Sequence, residues 1–377
     1  MIHRYLSIQD NLNPGKVLII YGARQVGKTT LVKKFLSETP LKYRYDTGDN
    51  FQVAEQLSQC TYQSTKDHVA HYELIVIDEA QKIPNIGNAL KLMVDMNPEV
   101  CIIATGSSSF DLAHMTDESL TGRKKVLHLY SISQLELSQK YAPSELKNTL
   151  ENYLIYGAYP EVVMEGVRQQ KIEQIREITY SYLIKDILEF DRIRNSDKIY
   201  KLLQLLAFQI GSEVSANELS RSLGLDVKTI QRYLDLLEKS YVVFSLSAYS
   251  GNPRKEISKS SKYYFYDLGI RNTLINNFNL LNQRNDIGAV WENFLISERI
   301  KKDAYVKNYK NYYFWRTYTQ KELDLVEEYE GNIFGYEFEF TPQQTFPPQI
   351  WTDSYPEASY TEIHKENYMD FVTIIGK

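Results

Sequence analysis

The sequence predicts an α/β protein whose N-terminal part is a parallel sheet, and three stretches carry that prediction. Residues 17–21, 74–77 and 101–104 are uninterrupted apolar runs, the pattern of strands buried on both faces. Each run ends on polar residues: Gly22 after the first, Asp78-Glu79 after the second, Thr105-Gly-Ser-Ser-Ser after the third. Open α/β sheets bind ligands beyond the carboxyl ends of their strands, so these three ends mark the expected site.

The first end is the most specific. Residues 22–29, Gly-Ala-Arg-Gln-Val-Gly-Lys-Thr, fit G-x-x-x-x-G-K-[ST] at every fixed position. Leu31, Val32, Phe35 and Leu36 then recur at helical spacing, which places the loop between a strand and a helix. The expected cradle is Gly22, Ala23, Arg24, Gln25, Val26, Gly27, Lys28, Thr29 and Thr30, a Walker A loop whose N–H groups point inward at phosphates. The helix adds roughly half a positive charge at its start. Lys28 would reach the β- and γ-phosphates of ATP, and the Thr29 hydroxyl would hold Mg2+.

Residues 43–46 read as a second strand and 51–72 as helix. The Leu-Ile-Val-Ile run of 74–77 followed by Asp78 and Glu79 has the Walker B arrangement: Asp78 for the metal through its water shell, Glu79 as the base that polarises attacking water. A P-loop kinase needs no such base, so Glu79 tilts the reading towards hydrolysis. Ser107, in the polar run after 101–104, is a candidate contact for the γ-phosphate. Arg123 has two readings, an arginine finger or phosphate sensor, and a surface arginine behind the turn at Gly122.

Composition sets limits. The 377 residues suffice for two or three domains, and the net charge of -5 argues against coating nucleic acid wholesale. Cys60 and Cys101 lack ligand spacing, and the six histidines form no convincing zinc set. No stretch has the apolar length of a membrane span and the N-terminus shows no signal region, so a cytoplasmic protein with no membrane partner is expected.

The motifs at 22–30, Ile-Asp-Glu-Ala-Gln (77–81), Thr-Gly-Ser-Ser-Ser (105–109) and Leu-Thr-Gly-Arg (120–123) resemble those of the predicted AAA+ superfamily ATPases of bacteria and archaea. Tyr-Leu-Ile-Tyr-Gly-Ala-Tyr-Pro-Glu (153–161), Lys-Tyr-Tyr-Phe-Tyr-Asp-Leu-Gly (262–269) and Trp291-Glu292 resemble later motifs of the same family, in the same order. The resemblance implies a P-loop NTPase fold with ATP binding and hydrolysis, followed by a C-terminal region of undefined role.

Residues 146–210 turn helical, with Leu146, Leu150, Tyr153 and Leu154, then Tyr182, Leu183, Ile187 and Leu188, as expected of a helical lid and connector. Two helices, 215–223 and 227–239, follow, joined by Gly224-Leu-Asp226 with Asp226 as cap, and 242–246 begins a β-wing. That is a winged helix-turn-helix. Lys228, Thr229, Gln231 and Arg232 form its outward face, and Arg254, Lys255, Lys259 and Lys262 outnumber Glu256 in the wing. Two readings stand: DNA contact, or packing against the ATPase or a protein partner with a solvated basic loop.

The last hundred residues offer an amphipathic helix, 288–300, bearing Glu292, then strands at 312–317, 323–326 and 336–340. The order helix, strand, strand, strand resembles the PD-(D/E)XK nuclease core. Period-2 spacing puts Glu322 with Asp324 on one face, and Glu337 with Glu339 likewise. Residue 339 departs from that pattern, being Glu where an active nuclease has Lys. The four acids could hold Mg2+ or Mn2+, or form a solvated strand face, the blander reading; a nuclease-like but inactive α+β domain is expected. The tail from Thr341 reads as loop and then strand over 371–375.

The domains expected are therefore 1–145 (ATPase), 146–265 (lid and winged helix) and 266–377 (restriction-endonuclease-like). The chain reads as an Mg2+-dependent ATPase coupling nucleotide state to a DNA or protein partner, with the oligomeric state open. The rival readings are a nucleotide-gated DNA-binding regulator with little turnover and an ATP-dependent nuclease.

Overall fold

The computed structural model describes residues 2–107, 120–183, 196–250 and 261–373. They fall into two compact units: residues 4–130 with 239–241, and the remainder from 131 onward with the first three residues.

In the first unit a five-stranded sheet runs β2 (Tyr43–Thr47), β3 (Leu74–Asp78), β4 (Cys101–Gly106), β1 (Val17–Tyr21), β5 (Lys124–His128), with every pair parallel. All residues of β1, β3 and β4 are buried, which is why these strands read as continuous apolar runs. Helix α1 (Lys28–Glu38) follows β1, burying Val32 and Leu36. The single helix expected over 51–72 is two, α2 (Phe51–Ser58) and α3 (Tyr62–Val69). Cys60 between them has φ +50, and Thr61 starts α3 by accepting from the Ser64 N–H. Helix α4 (Ile86–Met96) buries Ile86, Leu90 and Met93 in a core shared with Val17, Ile19, Ile75, Ile77 and Ile102.

After a one-turn helix at Gln134–Leu137, the second unit continues with helices α5 (Pro143–Tyr156), α6 (Pro160–Met164), α7 (Arg168–Glu177) and α8 (Ser196–Phe208). The helices expected to form a lid thus belong to this unit and not to that of the loop at 22–29. Ile187 and Leu188 lie outside the described residues. Helices α9 (Ala216–Leu223) and α10 (Val227–Lys239) are joined through Gly224 at φ +62, and Asp226 caps α10 by accepting from the Thr229 N–H at 2.9 Å. Strands β6 (Glu213–Val214), β8 (Ser261–Phe265) and β7 (Val243–Ala248) pair antiparallel beside them. Arg254, Lys255, Glu256 and Lys259 lie outside the described residues.

These strands do not end a domain at residue 265. Ser247 and Ala248 of β7 pair in parallel with Tyr313 and Phe314 of β9 (Asn311–Arg316). The sheet continues through β10 (Glu322–Tyr329) and β11 (Asn332–Phe338) to β12 (Ser359–Ile363), giving seven strands in the order β12-β11-β10-β9-β7-β8-β6. Two long-range motifs meet here. Helix α11 (Leu268–Leu274) begins at Asp267, whose carboxylate accepts from the Gly269 N–H at 2.9 Å and the Ala158 N–H at 2.8 Å. Asn272 donates to the last carbonyls of α5, Leu154 and Ile155, at 2.9 Å each. The segments 153–161 and 262–269 are therefore two halves of one joint.

Two expectations fail here. Helix α12 (Ile287–Val306) is not amphipathic: every residue from Val290 to Glu298 is buried, because sheet and helices cover it all round. The tail at 371–373 is not strand: α13 (Tyr368–Val372) buries Tyr368, Phe371 and Val372 at helical spacing, with Tyr368 against Trp291 and Phe371 against Tyr336. Ile374 and Ile375 lie outside the described residues.

Candidate phosphate-binding site

The loop at 22–29 leaves the end of β1 and enters α1 at Gly27, φ +99, with Gln25 at φ +63. Gly22 is required by space: a Cβ there would sit 2.1 Å from the Leu129 carbonyl oxygen. Ala23 and Val26 are buried, Arg24, Gln25 and Thr29 half-buried, and Thr30 exposed. Lys28 is buried and its Nζ donates to the Gly22 and Ala23 carbonyls at 2.9 and 3.0 Å, so the ammonium sits inside the loop. Arg4 braces the loop from outside, donating to the Val26 and Tyr130 carbonyls at 2.6 Å each.

Strand β3 brings Asp78 to the same place, although β4 separates it from β1, a span of about 10 Å. The Thr29 hydroxyl donates to Asp78 Oδ2 at 2.8 Å. Tyr45 on β2 donates to the same oxygen at 2.8 Å, and Thr105 on β4 donates to Oδ1. Burial, then its bond to Asp78, pushes the Tyr45 hydroxyl pKa above its ordinary value. Thr105 also accepts from the Glu79 N–H at 3.1 Å, and Glu79 has φ +51. Gln81 donates to Glu79 Oε2 at 2.6 Å and to the Ser107 hydroxyl at 3.0 Å. The ends of β1, β2, β3 and β4 thus converge on one cluster of oxygens, as the strand-end rule anticipates. Thr29 hydroxyl and Asp78 carboxylate are hard oxygen donors next to one another, a set that fits Mg2+, which takes one or two protein oxygens and fills its shell with phosphate and water.

Arg123 is not brought to this cluster. It precedes Lys124, which pairs in register with Val17 at the start of β1, whereas the loop follows Tyr21 at its end, about 15 Å along the strands. There its guanidinium meets Asp95 at 2.7 Å, half exposed. Ser108 and Ser109 lie outside the described residues. Sequence reasoning missed Arg4, Tyr45 and Gln81 as parts of the site; only Gln81 left a signal, standing two residues behind the paired acids.

The C-terminal acids form a separate cluster in the second unit, with Asp324 and Glu292 buried and Glu322, Glu337 and Glu339 half-buried. The reading of a solvated strand face is overturned for Asp324, which is buried on β10 with its Oδ2 accepting from the Phe338 N–H at 2.8 Å. Glu292 on α12 accepts from the Tyr264 hydroxyl at 2.6 Å and lies 3.3 Å from Lys262 Nζ, itself almost fully buried. Burial, then the negative charges of Glu339 and Glu322, pushes the Glu337 carboxyl up to about 7. Asp324 is raised well above the ordinary carboxylate range, by burial and then by Glu292 and Glu337. The buried cation of the cluster is Lys262 from β8, where the sequence expectation looked to residue 339, and Arg316 lies 3.6 Å from Glu322 at its edge. Among the described residues no group of three or more His, Cys, Asp or Glu side chains is arranged to hold a metal ion, and no helix is long and apolar enough to cross a membrane.

The chain is similar to uncharacterized proteins of distant organisms. One from Mycobacterium tuberculosis is 27% identical over 88% of this chain and 71% of its own length. One from Methanocaldococcus jannaschii is 23% identical over 87% of this chain and 74% of its own. Among solved structures, AMPPCP-bound DnaA from Aquifex aeolicus shares 15% identity over 63% of this chain and 85% of that one at a TM-score of 0.27, too loose a likeness to bear on function. Residues 147–281 and 287–346 match two family models described as domains of unknown function (DUF8612 and DUF4143). Residues 14–138, which carry the loop and all the oxygen donors around Asp78, match the family model described as an AAA domain.

Proposed function

We propose that the first unit binds ATP with Mg2+ and hydrolyses it. The observation that carries this reading is the meeting of Thr29 and Asp78 at 2.8 Å beside Lys28 inside its loop. In the proposal the backbone of 22–30 and the Lys28 ammonium take the phosphates, with Lys28 exchanging two carbonyls for phosphate oxygens. Thr29 and Asp78 hold Mg2+, which when bound supplies charge neutralisation for the β- and γ-phosphates. Glu79 takes the proton of the attacking water, and Ser107, just past the end of β4, is the candidate contact for the γ-phosphate. Arg123 receives no role within its own chain. The test is calorimetry and steady-state turnover of wild type, Lys28→Ala and Glu79→Gln. Wild type should bind and turn over ATP, Lys28→Ala should lose binding, and Glu79→Gln should bind but turn over at least about 10²-fold more slowly. Turnover in Glu79→Gln equal to wild type sinks the reading.

We further propose that nucleotide state alters the binding of DNA through α10, where Lys228, Gln231 and Arg232 are exposed and Thr229 is tied to Asp226. Anisotropy of a labelled duplex should differ between ATP and ADP and weaken steeply with salt. Identical binding in both states removes the coupling, and no binding in either removes DNA and leaves a protein partner. For the clustered acids around Asp324 in the second unit we propose a structural role; Mn2+-dependent DNA cutting lost in Asp324→Ala would overturn it.

A further inference from the structure

Gln81 stands in a short turn, Ala80–Lys82, directly behind the paired acids. One end of its amide donates to both Glu79 and Ser107. The other end, Oε1, is buried and has no hydrogen-bond partner among the described residues. This orientation is fixed by chemistry, because an ionised carboxylate only accepts, so the group facing Glu79 must be the NH2. A buried carbonyl left without a donor costs about 1–3 kcal/mol. Glu79 itself holds a left-handed backbone at φ +51, pinned by its N–H bond to Thr105, a conformation costing on the order of 1–3 kcal/mol. Both costs fall on one acid and its neighbour, at the mouth of the phosphate cradle.

We propose that Gln81 is the positioning residue for the attacking water: its NH2 fixes the Glu79 carboxylate, and its unpartnered carbonyl accepts the water's second hydrogen. The proposal rests on the reading that this unit hydrolyses ATP. In the step, the water oxygen forms a bond to the γ-phosphorus while the bond from that phosphorus to the β–γ bridging oxygen breaks. The bridging oxygen keeps the electron pair and leaves with ADP. One water proton passes to the Glu79 carboxylate, and the other stays on the new phosphate oxygen, donated to Gln81 Oε1. Ser107 shares the same NH2, so the end of β4 is tied to the base through a single amide.

The experiment compares the full chain as wild type, Gln81→Ala, Gln81→Glu and Glu79→Gln, measuring ATP affinity by calorimetry and kcat and KM between pH 5 and 9. Gln81→Ala should lower kcat by about 10- to 10²-fold, with ATP affinity and KM within about twofold of wild type. Gln81→Glu sets a second carboxylate beside Glu79, so the acid limb of its kcat profile should move up by about one pH unit; a merely structural role would leave that limb in place. If Glu79→Gln is dead while both Gln81 variants keep the wild-type kcat and acid limb, the Gln81 assignment is wrong and the ATPase reading stands. If both Gln81 variants lose ATP binding, Gln81 serves the fold and the proposal is overturned. If wild type does not turn over, or Glu79→Gln matches it, the ATPase reading fails and takes the role of Gln81 with it.

Discussion

Gly22 shows how closely the loop is packed. Its Cα faces the Leu129 carbonyl across a gap that would hold an alanine Cβ only 2.1 Å from the oxygen, with Val26 Cγ2 at 3.2 Å. Backbone cannot yield as a flexible side chain can, so Gly22→Ala should cost about 1–3 kcal/mol and lower ATP affinity, read by urea unfolding and calorimetry. Gly166→Ala, where a Cβ would meet nothing within 4 Å, should stay within about 0.5 kcal/mol of wild type. A Gly22→Ala protein as stable as wild type would mean that β5 and the loop can part at no cost. The sequence announced Gly22, Gly27, Lys28 and Thr29 because loop chemistry dictates those residue types at fixed spacing. It could not announce Tyr45 or Arg4. Their roles depend on which strands neighbour β3 and what precedes β1, and no local pattern encodes either.

At the scale of elements, Asp267 closes the joint between α5 and α11. Both of its oxygens are used, one by Gly269 and one by Ala158, and Gly157 at φ +76 lies so close that a Cβ there would sit 1.9 Å from Oδ1. Asp267→Ala would leave two buried N–H groups without acceptors and should destabilise the second unit by about 2–4 kcal/mol. Its denaturant midpoint should fall without a change in slope, while ATP binding by the first unit persists. An unchanged midpoint would show that water or a neighbour replaces the carboxylate. Sequence reading found both halves of this joint as motifs without their partnership, because 109 positions of chain separate Ala158 from Asp267. Elements were legible where periodicity matched burial, as in β1, β3, β4, α9 and α10. They were misread where it did not: α12 is covered on all sides, so its pattern carries no single face, and α13 is a short apolar run that fits strand or helix equally until Trp291 and Tyr336 are known to lie against it.

At the scale of the whole molecule, the sequence placed boundaries near 145, where the pattern turns helical, and 265, where the helix-turn-helix and its wing were expected to end. The compact units instead divide between Tyr130 and Ser131, and β7 joins β6 and β8 to the C-terminal strands. Hydrogen bonding between strands far apart in sequence decides such boundaries, and local periodicity does not report it. The two units should also answer pH in opposite directions. In the first, burial holds the His128 imidazole down at about 4, with Tyr241 bonded to its Nδ1 at 2.6 Å. Its neutral form is favoured on folding, so that stability is complete above about pH 6.5 and is lost as pH falls towards 4. Asp46, where burial pushes up but His68 and Arg44 outweigh it and hold the carboxyl down, acts with the same sign. In the second unit Glu337 is raised to about 7, and Asp324 and Glu292 are raised with it, facing Glu322, Glu339 and Lys262, with Arg316 3.6 Å from Glu322. A raised carboxyl favours its protonated form on folding, so that stability is complete below about pH 4.5 and is lost as pH rises through 7. Asp286 runs the other way: burial opposes it, but Arg284 and Arg271 hold its carboxyl at about 2, so its loss falls below this window. Hydrogen exchange followed by peptide mass spectrometry, corrected for intrinsic rates, should therefore show β1 and β5 better protected at pH 7.5 than at pH 5, and β10 and β11 the reverse. Glu337→Gln should flatten the second trend and His128→Phe the first, each without touching the other. If β10 and β11 gain protection as pH rises, the cluster around Lys262 folds in its fully ionised form, and the cations beside it outweigh the burial of its acids.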